Sequence, residues 1–531
     1  MRYRMIVAAS LVCSMAAIAT SVAIANADGD LSKVKHIIIV MQENHSFDNY
    51  FGVLPYVPGG PYHQCKKPNN GVGNPHVAAA DDHQCVDGLD CHQDGPQGPL
   101  VCINKNRDDE KGFVKSFHEQ TYCNGPDLDH GWGGTHLEGN FMDPNATLTS
   151  MPIDGFVRQN DLSEQIDTPN TPDRDDTMGY YDQGNLPFYY DLAETFAIND
   201  HYFCSVLGPT FPNRSYLLAA TSFGHLTTAE IVDQPSPGVF IPYKPITGTI
   251  FDLLDANHVT WRDYFSDFPE SIIFRSIPSL FIHGQIAPLS QFFTDVAAGT
   301  LPPVSYVESA AGGIAAGVLE NDEHPPSDIR KGQLYVSQIV NALRNSPSWK
   351  DTVLFFTYDE HGGYYDHAQT PASAQGGERT PDGIGPGQCA DLSNPPSSES
   401  LGGGINCSVS QADAQQLCAA ASPTGAFPVD CASFDQLGFR VPFIAVSPFA
   451  KPHYVSHMVG DHTSMLAFIE QRFLPDGAHL TLRDQNASRL QDMFDFNGSP
   501  SLNAVIGTAP APVPGEHNCP FVPVAVGGSE P

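Results

Sequence analysis

Residues 36–42 read HIIIVMQ, and the apolar run then breaks on Glu43, Asn44 and His45. β-Branched residues from Ile37 to Val40 with no helical stripe predict a strand of a parallel sheet, covered on both faces. A second run, TVLFFTY at 352–358, breaks in the same way on Asp359, Glu360 and His361, followed by Gly362 and Gly363. Two strands of this kind demand a two-sided apolar environment, so polar chemistry is confined to their ends. In open α/β sheets ligands collect beyond the carboxyl ends of the strands, where both polar pairs fall.

Further apolar runs at 201–207, 304–307 and 441–446 predict additional strands, and 34–41 frames the first. Between them, residues 186–196, 213–222, 333–343 and 463–473 carry apolar side chains at helical spacing. The alternation predicts an α/β chain, an α/β/α sandwich around a mostly parallel central sheet. There is no internal repeat. Gly-, Pro- and Asn-rich stretches at about 59–109 and 372–433 read as loop insertions, and 506–531, rich in Pro, Val and Gly, as an extended tail. One domain over 28–505 accommodates everything between leader and tail.

The amino terminus begins with Arg2 and Arg4, runs through apolar residues to about Ala19 and reaches Ala25-Asn26-Ala27, the pattern of a cleaved secretory signal over 1–27. No later segment is long and apolar enough to span a bilayer, so no transmembrane anchor is expected. An exported chain is secreted or periplasmic, and its clustered cysteines are expected to pair. Cys65, Cys85, Cys91 and Cys102 lie in the first insertion, and Cys389, Cys407, Cys418 and Cys431 in the second. Cys204, inside HYFCSVL, is the expected odd, buried thiol. The formal charge is −34, and loss of 1–27, which carries Arg2 and Arg4 and no acidic residue, makes it −36. Such a surface repels nucleic acid, and none is expected as a partner.

The strand-end pairs Glu43-Asn44 and Asp359-Glu360 supply carboxylate and amide oxygens of the kind a divalent cation takes. The donor types permit Ca, Mg, Mn or Zn. In GPTFPNR, Thr210 falls where a helix is expected to open, a position that suits either a helix cap or a hydroxyl facing a bound phosphate. Coordination to a divalent cation activates such a hydroxyl as a nucleophile. Arg214, four residues on, is a candidate for binding phosphate oxygens. His130 and His136 in DHGWGGTHLEG, His324 in NDEHPP and His462 in GDHTSM are candidates for donating to phosphate oxygens and protonating a leaving alcohol.

Taken in order, QENHSFDNYFG, GPTFPNR, TYDEHGG and DHTSMLAFIE resemble the phosphoesterase family that includes non-haemolytic phospholipases C and secreted acid phosphatases, over about 35–496. The resemblance implies an alkaline-phosphatase-like fold in which a metal-bound hydroxyl residue attacks phosphorus. By motif it implies Glu43 and Asn44 as the first metal-binding pair, Thr210 as nucleophile and metal ligand, and Asp359 and Glu360 as the second pair. His130, His136, His324 and His462 fall at substrate-side positions. His361 stands where the family often has Asn, as an added ligand or a polar loop residue. The expected substrate is a phospholipid, cleaved at its headgroup phosphodiester, with acid phosphatase action on small phosphomonoesters as the alternative. A non-catalytic exported binding protein of the same fold is the third reading. Oligomeric state is not legible.

Overall fold

The computed structural model describes residues 29–510, apart from 67–80, 96–97, 126, 142–150, 168–174, 223–227, 229–231, 237–238, 243–246, 274–283, 312–319, 374–433 and 435. The expected leader, most of the second insertion with its cysteines, and the tail beyond 510 lie outside the described residues.

One eight-stranded sheet organises the chain. Numbered along the sequence, its strands are β1 (His36–Gln42), β2 (Ala197–Asn199), β3 (Trp261–Phe265), β4 (Ile286–Pro288), β5 (Val304–Val307), β6 (Thr352–Tyr358), β7 (Phe443–Val446) and β8 (Tyr454–Ser456). Their order across the sheet is β4-β3-β5-β1-β6-β7-β2-β8. Only β7 runs against its neighbours β6 and β2; the other pairings are parallel. β1 and β6 sit side by side at the centre. Val34, the apolar residues from Ile37 to Met41 and those of β6 join one continuous core, and β6 is buried along its whole length.

Strands buried on both faces need a layer on each side. Helices supply it in two packing groups. Thr210–Ala219 packs on His462–Phe473 and Ile250–Ala256, while Ile329–Arg344 packs on Pro187–Thr195 and Leu289–Ala298. The helix Ile329–Arg344 alternates buried Val336, Ile339, Val340 and Leu343 with polar positions, the helical stripe that the sequence shows.

The expected strand at 201–207 is not formed. Tyr202 and Phe203 make only isolated bridges to Gly460 and Arg440, and the regular strand of that region is the preceding β2. The segment is apolar because it is buried, not because it pairs in a ladder. β3, β4 and β8 were hidden in the sequence for the opposite reason: WRDYF carries Arg262 and Asp263 inside the strand, and the other two are three residues each. In the first insertion, short strand pairs are stapled by disulfides Cys65–Cys85 and Cys91–Cys102, as expected. Cys204 is free and buried.

Candidate active site

Register brings the two polar pairs together. β1 and β6 pair residue for residue from His36↔Thr352 to Gln42↔Tyr358, so Glu43 and Asp359 leave adjacent strands at the same level. Asn44 then turns into the left-handed region (φ 66°), which asparagine tolerates better than branched residues. Ser46 caps the next helix, Phe47–Phe51, by accepting from the Asn49 N–H at 3.1 Å. On the other strand, Gly362 (φ 65°) lies so close to the Asn44 backbone that a Cβ there would collide with its carbonyl.

The two pairs lie at neighbouring strand ends. Asp359 Oδ1 accepts from the backbone N–H of Asn44 at 3.3 Å and of Glu360 at 2.8 Å. Asn44 Oδ1 and Glu360 Oε1 are buried with no hydrogen-bond partner among the described residues. A buried acceptor with no donor costs free energy, and a cation is the partner that suits an amide and a carboxylate oxygen together. The residues present therefore fit a divalent ion. Burial, opposed by Arg214, raises Asp359 to about 6 and Glu43 well above its usual value, so in the absence of further positive charge the pair resists full ionisation.

Arg214 is the positive charge already in place. Its Nε donates to Asp359 Oδ2 at 3.3 Å, one terminal nitrogen to Glu43 Oε1 at 3.0 Å, and the other to Glu270. The guanidinium is buried and all three nitrogens face carboxylates, so a role in gripping phosphate competes with three ion pairs. Thr210 is buried one helical turn before Arg214 on the same face. Pro209 is the N-cap residue and Thr210 the first residue of the helix, so its side chain is not the cap. It stands instead where exposed N–H groups favour an anion.

The histidines divide into three settings. His130 accepts from Asn44 Nδ2 at 3.4 Å, donates from Nδ1 to Leu128 O at 2.7 Å, and meets His324 edge-on with ring centroids 5.9 Å apart. Asp127 lies 3.6 Å from His130 and 3.9 Å from His324. Burial lowers His324, but Asp127, Glu43 and Asp322 more than offset it and hold it at about 9, a cationic donor. His136 donates to Trp132 O at 2.7 Å and packs on the Trp132 ring, which itself lies against Gly208, two residues before Thr210. His462 is behind the site: Nε2 donates to the Asp359 carbonyl at 2.6 Å and Nδ1 faces the Tyr202 hydroxyl at 3.3 Å. Burial pushes both His136 and His462 down to about 4, so each is neutral.

Two features were missed in the sequence. Glu270 opens the short 3-10 helix Glu270–Ile273 in the connection after β3 and reaches Arg214. Asp322 and Glu323 sit beside His324 in NDEHPP; Asp322 O accepts from Glu43 N at 2.8 Å, and Glu323 accepts from the hydroxyls of Tyr50, Tyr189 and Tyr358. His361 is not a free loop residue. It bridges Glu138 Oε2 at 2.6 Å and Glu360 Oε2 at 3.2 Å, both fully buried.

The chain belongs to the phosphoesterase family, whose model matches residues 34–474. It is thus a phosphoric ester hydrolase, of the phospholipase C-like kind. It is similar to non-specific phospholipase C6 of Arabidopsis thaliana, 28% identical over 478 residues that cover 88% of this chain and 74% of the relative. Phospholipase C B of Mycobacterium tuberculosis is 28% identical over 504 residues, covering 89% of this chain and 80% of its own. Non-hemolytic phospholipase C of Burkholderia pseudomallei is also 28% identical, over 84% of this chain and 56% of its own. Among solved structures, murine ectonucleotide pyrophosphatase/phosphodiesterase 5 overlaps 58% of this chain and 94% of its own, with 10% identity and a TM-score of 0.31.

Proposed function

We propose that this chain is a secreted, metal-dependent phospholipase C that cleaves the headgroup phosphodiester of a phospholipid with Thr210 as nucleophile. The observation that carries the reading is the meeting of Glu43-Asn44 and Asp359-Glu360 at neighbouring strand ends, with Asn44 Oδ1 and Glu360 Oε1 buried and without a hydrogen-bond partner among the described residues. Glu43, Asn44, Asp359, Glu360 and the Thr210 hydroxyl would hold the ion. When bound, the ion supplies Lewis-acid polarisation and lowers the pKa of a coordinated hydroxyl. The family relatives that are phospholipases C favour a phospholipid over a small phosphomonoester.

The chain's own residues do the rest. Thr210 Oγ1 attacks phosphorus at the amino terminus of its helix, whose N–H groups favour the phosphate charge. Arg214, one turn on, keeps Glu43 and Asp359 apart in charge and together in space. His324, cationic and about a quarter exposed, donates to a phosphoryl oxygen and protonates the leaving alcohol in this reading, supported by His130 and Asp127 beside it. His136, through Trp132, braces the loop before Thr210, and His462 fixes the Asp359 carbonyl from behind. Water then releases the phosphate from Thr210, so two inversions give net retention.

The test compares Thr210→Val and Thr210→Ser on the nitrophenyl phosphorylcholine diester and on nitrophenyl phosphate, with and without chelator. Thr210→Val should lose several orders of magnitude, roughly the value of a covalent step, while Thr210→Ser keeps appreciable turnover. Near-parental turnover in folded Thr210→Val, or inversion at a chiral phosphorus, would remove the nucleophile assignment. Preference for the monoester would make the enzyme an acid phosphatase, the alternative reading.

A further inference from the structure

Away from the strand ends of β1 and β6, the sheet edge holds a second group of ligating atoms. Asp200 follows β2, His201 follows Asp200, and His457 follows the edge strand β8, which pairs in parallel with β2 through Asn199↔Ser456. One atom of each, two imidazole nitrogens and a carboxylate oxygen, lies within 4.8 Å of the other two. His457 Nδ1 is 2.7 Å from Asp200 Oδ1, and His201 Nδ1 is 3.9 Å from the same oxygen.

These distances bracket the edge of a tetrahedral site: with metal–ligand bonds of about 2.0–2.1 Å, ligand atoms lie about 3.3 Å apart. The outer partners are also in place. His457 Nε2 donates to Asp82 O at 3.1 Å and its Nδ1 to Asp200 Oδ1, while His201 Nε2 faces Asp87 Oδ2 at 3.6 Å and its Nδ1 donates to His457 O at 3.0 Å, a hydrogen bond that an ion would replace. Asp200 Oδ2 is held by the Asp87 N–H at 2.8 Å, which leaves Oδ1 as the inward oxygen. A carbonyl or carboxylate on the far nitrogen is the usual support of a metal-ligating histidine. Cys85, near His457, is closed in its disulfide and supplies no thiolate. His201 and His457 keep 24% and 15% of their side-chain surface exposed, which gives an ion a way in.

We propose that Asp200, His201 and His457 form a second, structural site for a zinc-class transition-metal ion, separate from the hydrolytic centre. Two imidazoles and one carboxylate exclude a calcium-type, all-oxygen site and suit zinc with water in the fourth position. Ion binding replaces the proton on each Nδ1. The site ties the ends of β2 and β8 to Asp82 and Asp87 of the first insertion, where the Cys65–Cys85 disulfide already closes the loop.

The probe is Zn2+ added to chelator-stripped, full-length protein, read by carbethoxylation of individual histidines and by metal content. Zinc should protect His201 and His457 at least tenfold, and His457→Gln should bind one equivalent less than the parent while retaining hydrolytic activity. Protection is read on the parent protein, so it stands even where His457→Gln folds poorly. Unchanged modification of both histidines in saturating zinc, or equal metal content in folded His457→Gln and parent, would overturn the site. Failure of Thr210 as nucleophile leaves these readouts untouched.

Discussion

The backbone N–H of Asn44 donates to Oδ1 of Asp359 at 3.3 Å across 315 positions of sequence. This bond closes the gap between two loops that each leave a central strand. It holds the Asn44 backbone against the carboxylate of Asp359, with Arg214 on the other carboxylate oxygen. A donor set held this way is preorganised, because the strand ladder and not the ligand sets its geometry.

Asp359→Ala should abolish hydrolysis and remove the metal of the hydrolytic centre. Arg214 keeps Glu43 and Glu270, so the stability loss should fall below the about 3–5 kcal/mol typical of a buried pair broken outright. Elemental analysis checks this: stripped and reloaded variant should hold one equivalent less than the parent, and equal content would withdraw Asp359 as a ligand.

Gly362→Ala should damage the site more than the fold. The residue sits at φ 65° against the Asn44 carbonyl, so a methyl both strains the backbone and pushes Asn44 away from Asp359. A destabilisation of about 1–3 kcal/mol is expected, with kcat falling further than stability explains. Retained kcat in the folded variant would show that the Asn44 loop tolerates the shift.

Stability should fall as pH rises above neutrality. Burial lowers His367, but Asp48 at 2.6 Å and Asp87 at 3.1 Å more than offset it and raise it to about 10, beside Arg440. The folded value lies above the ordinary one of 6.5, so the contribution is complete below about pH 6.5 and is lost as pH rises through about 10. Thermal melting across that window should show the decline, and His367→Gln should flatten it. An identical slope in the variant would assign the decline to other groups.

Native protein should show no reactive thiol, and unfolding without reductant should expose one. Cys204 is free, buried and beside Gly438, and burial raises its thiol well above the ordinary value. Ellman titration before and after denaturation measures this. Several accessible thiols in the native state would contradict pairing of the remaining cysteines.

What the sequence determined by itself was local. The apolar runs of β1 and β6 and the polar pairs behind them are contiguous, so unbroken apolar character located the central strands and their chemistry together, and the helix that opens at Thr210 followed from the Gly-Pro break before it. The tertiary structure decided what depends on contacts between distant segments. Glu270 joins the site only because β3 pairs with β5 and carries its exit toward Arg214. His462, opening a helix in sequence, proves to sit behind Asp359, and His361 proves to be clamped between Glu138 and Glu360. Neither placement has a sequence period, because each is a single contact between elements whose proximity the sheet order alone creates. The same holds for Asp200, His201 and His457: adjacency of β2 and β8, a pairing between short strands with almost no hydrophobic pattern, is what gathers them.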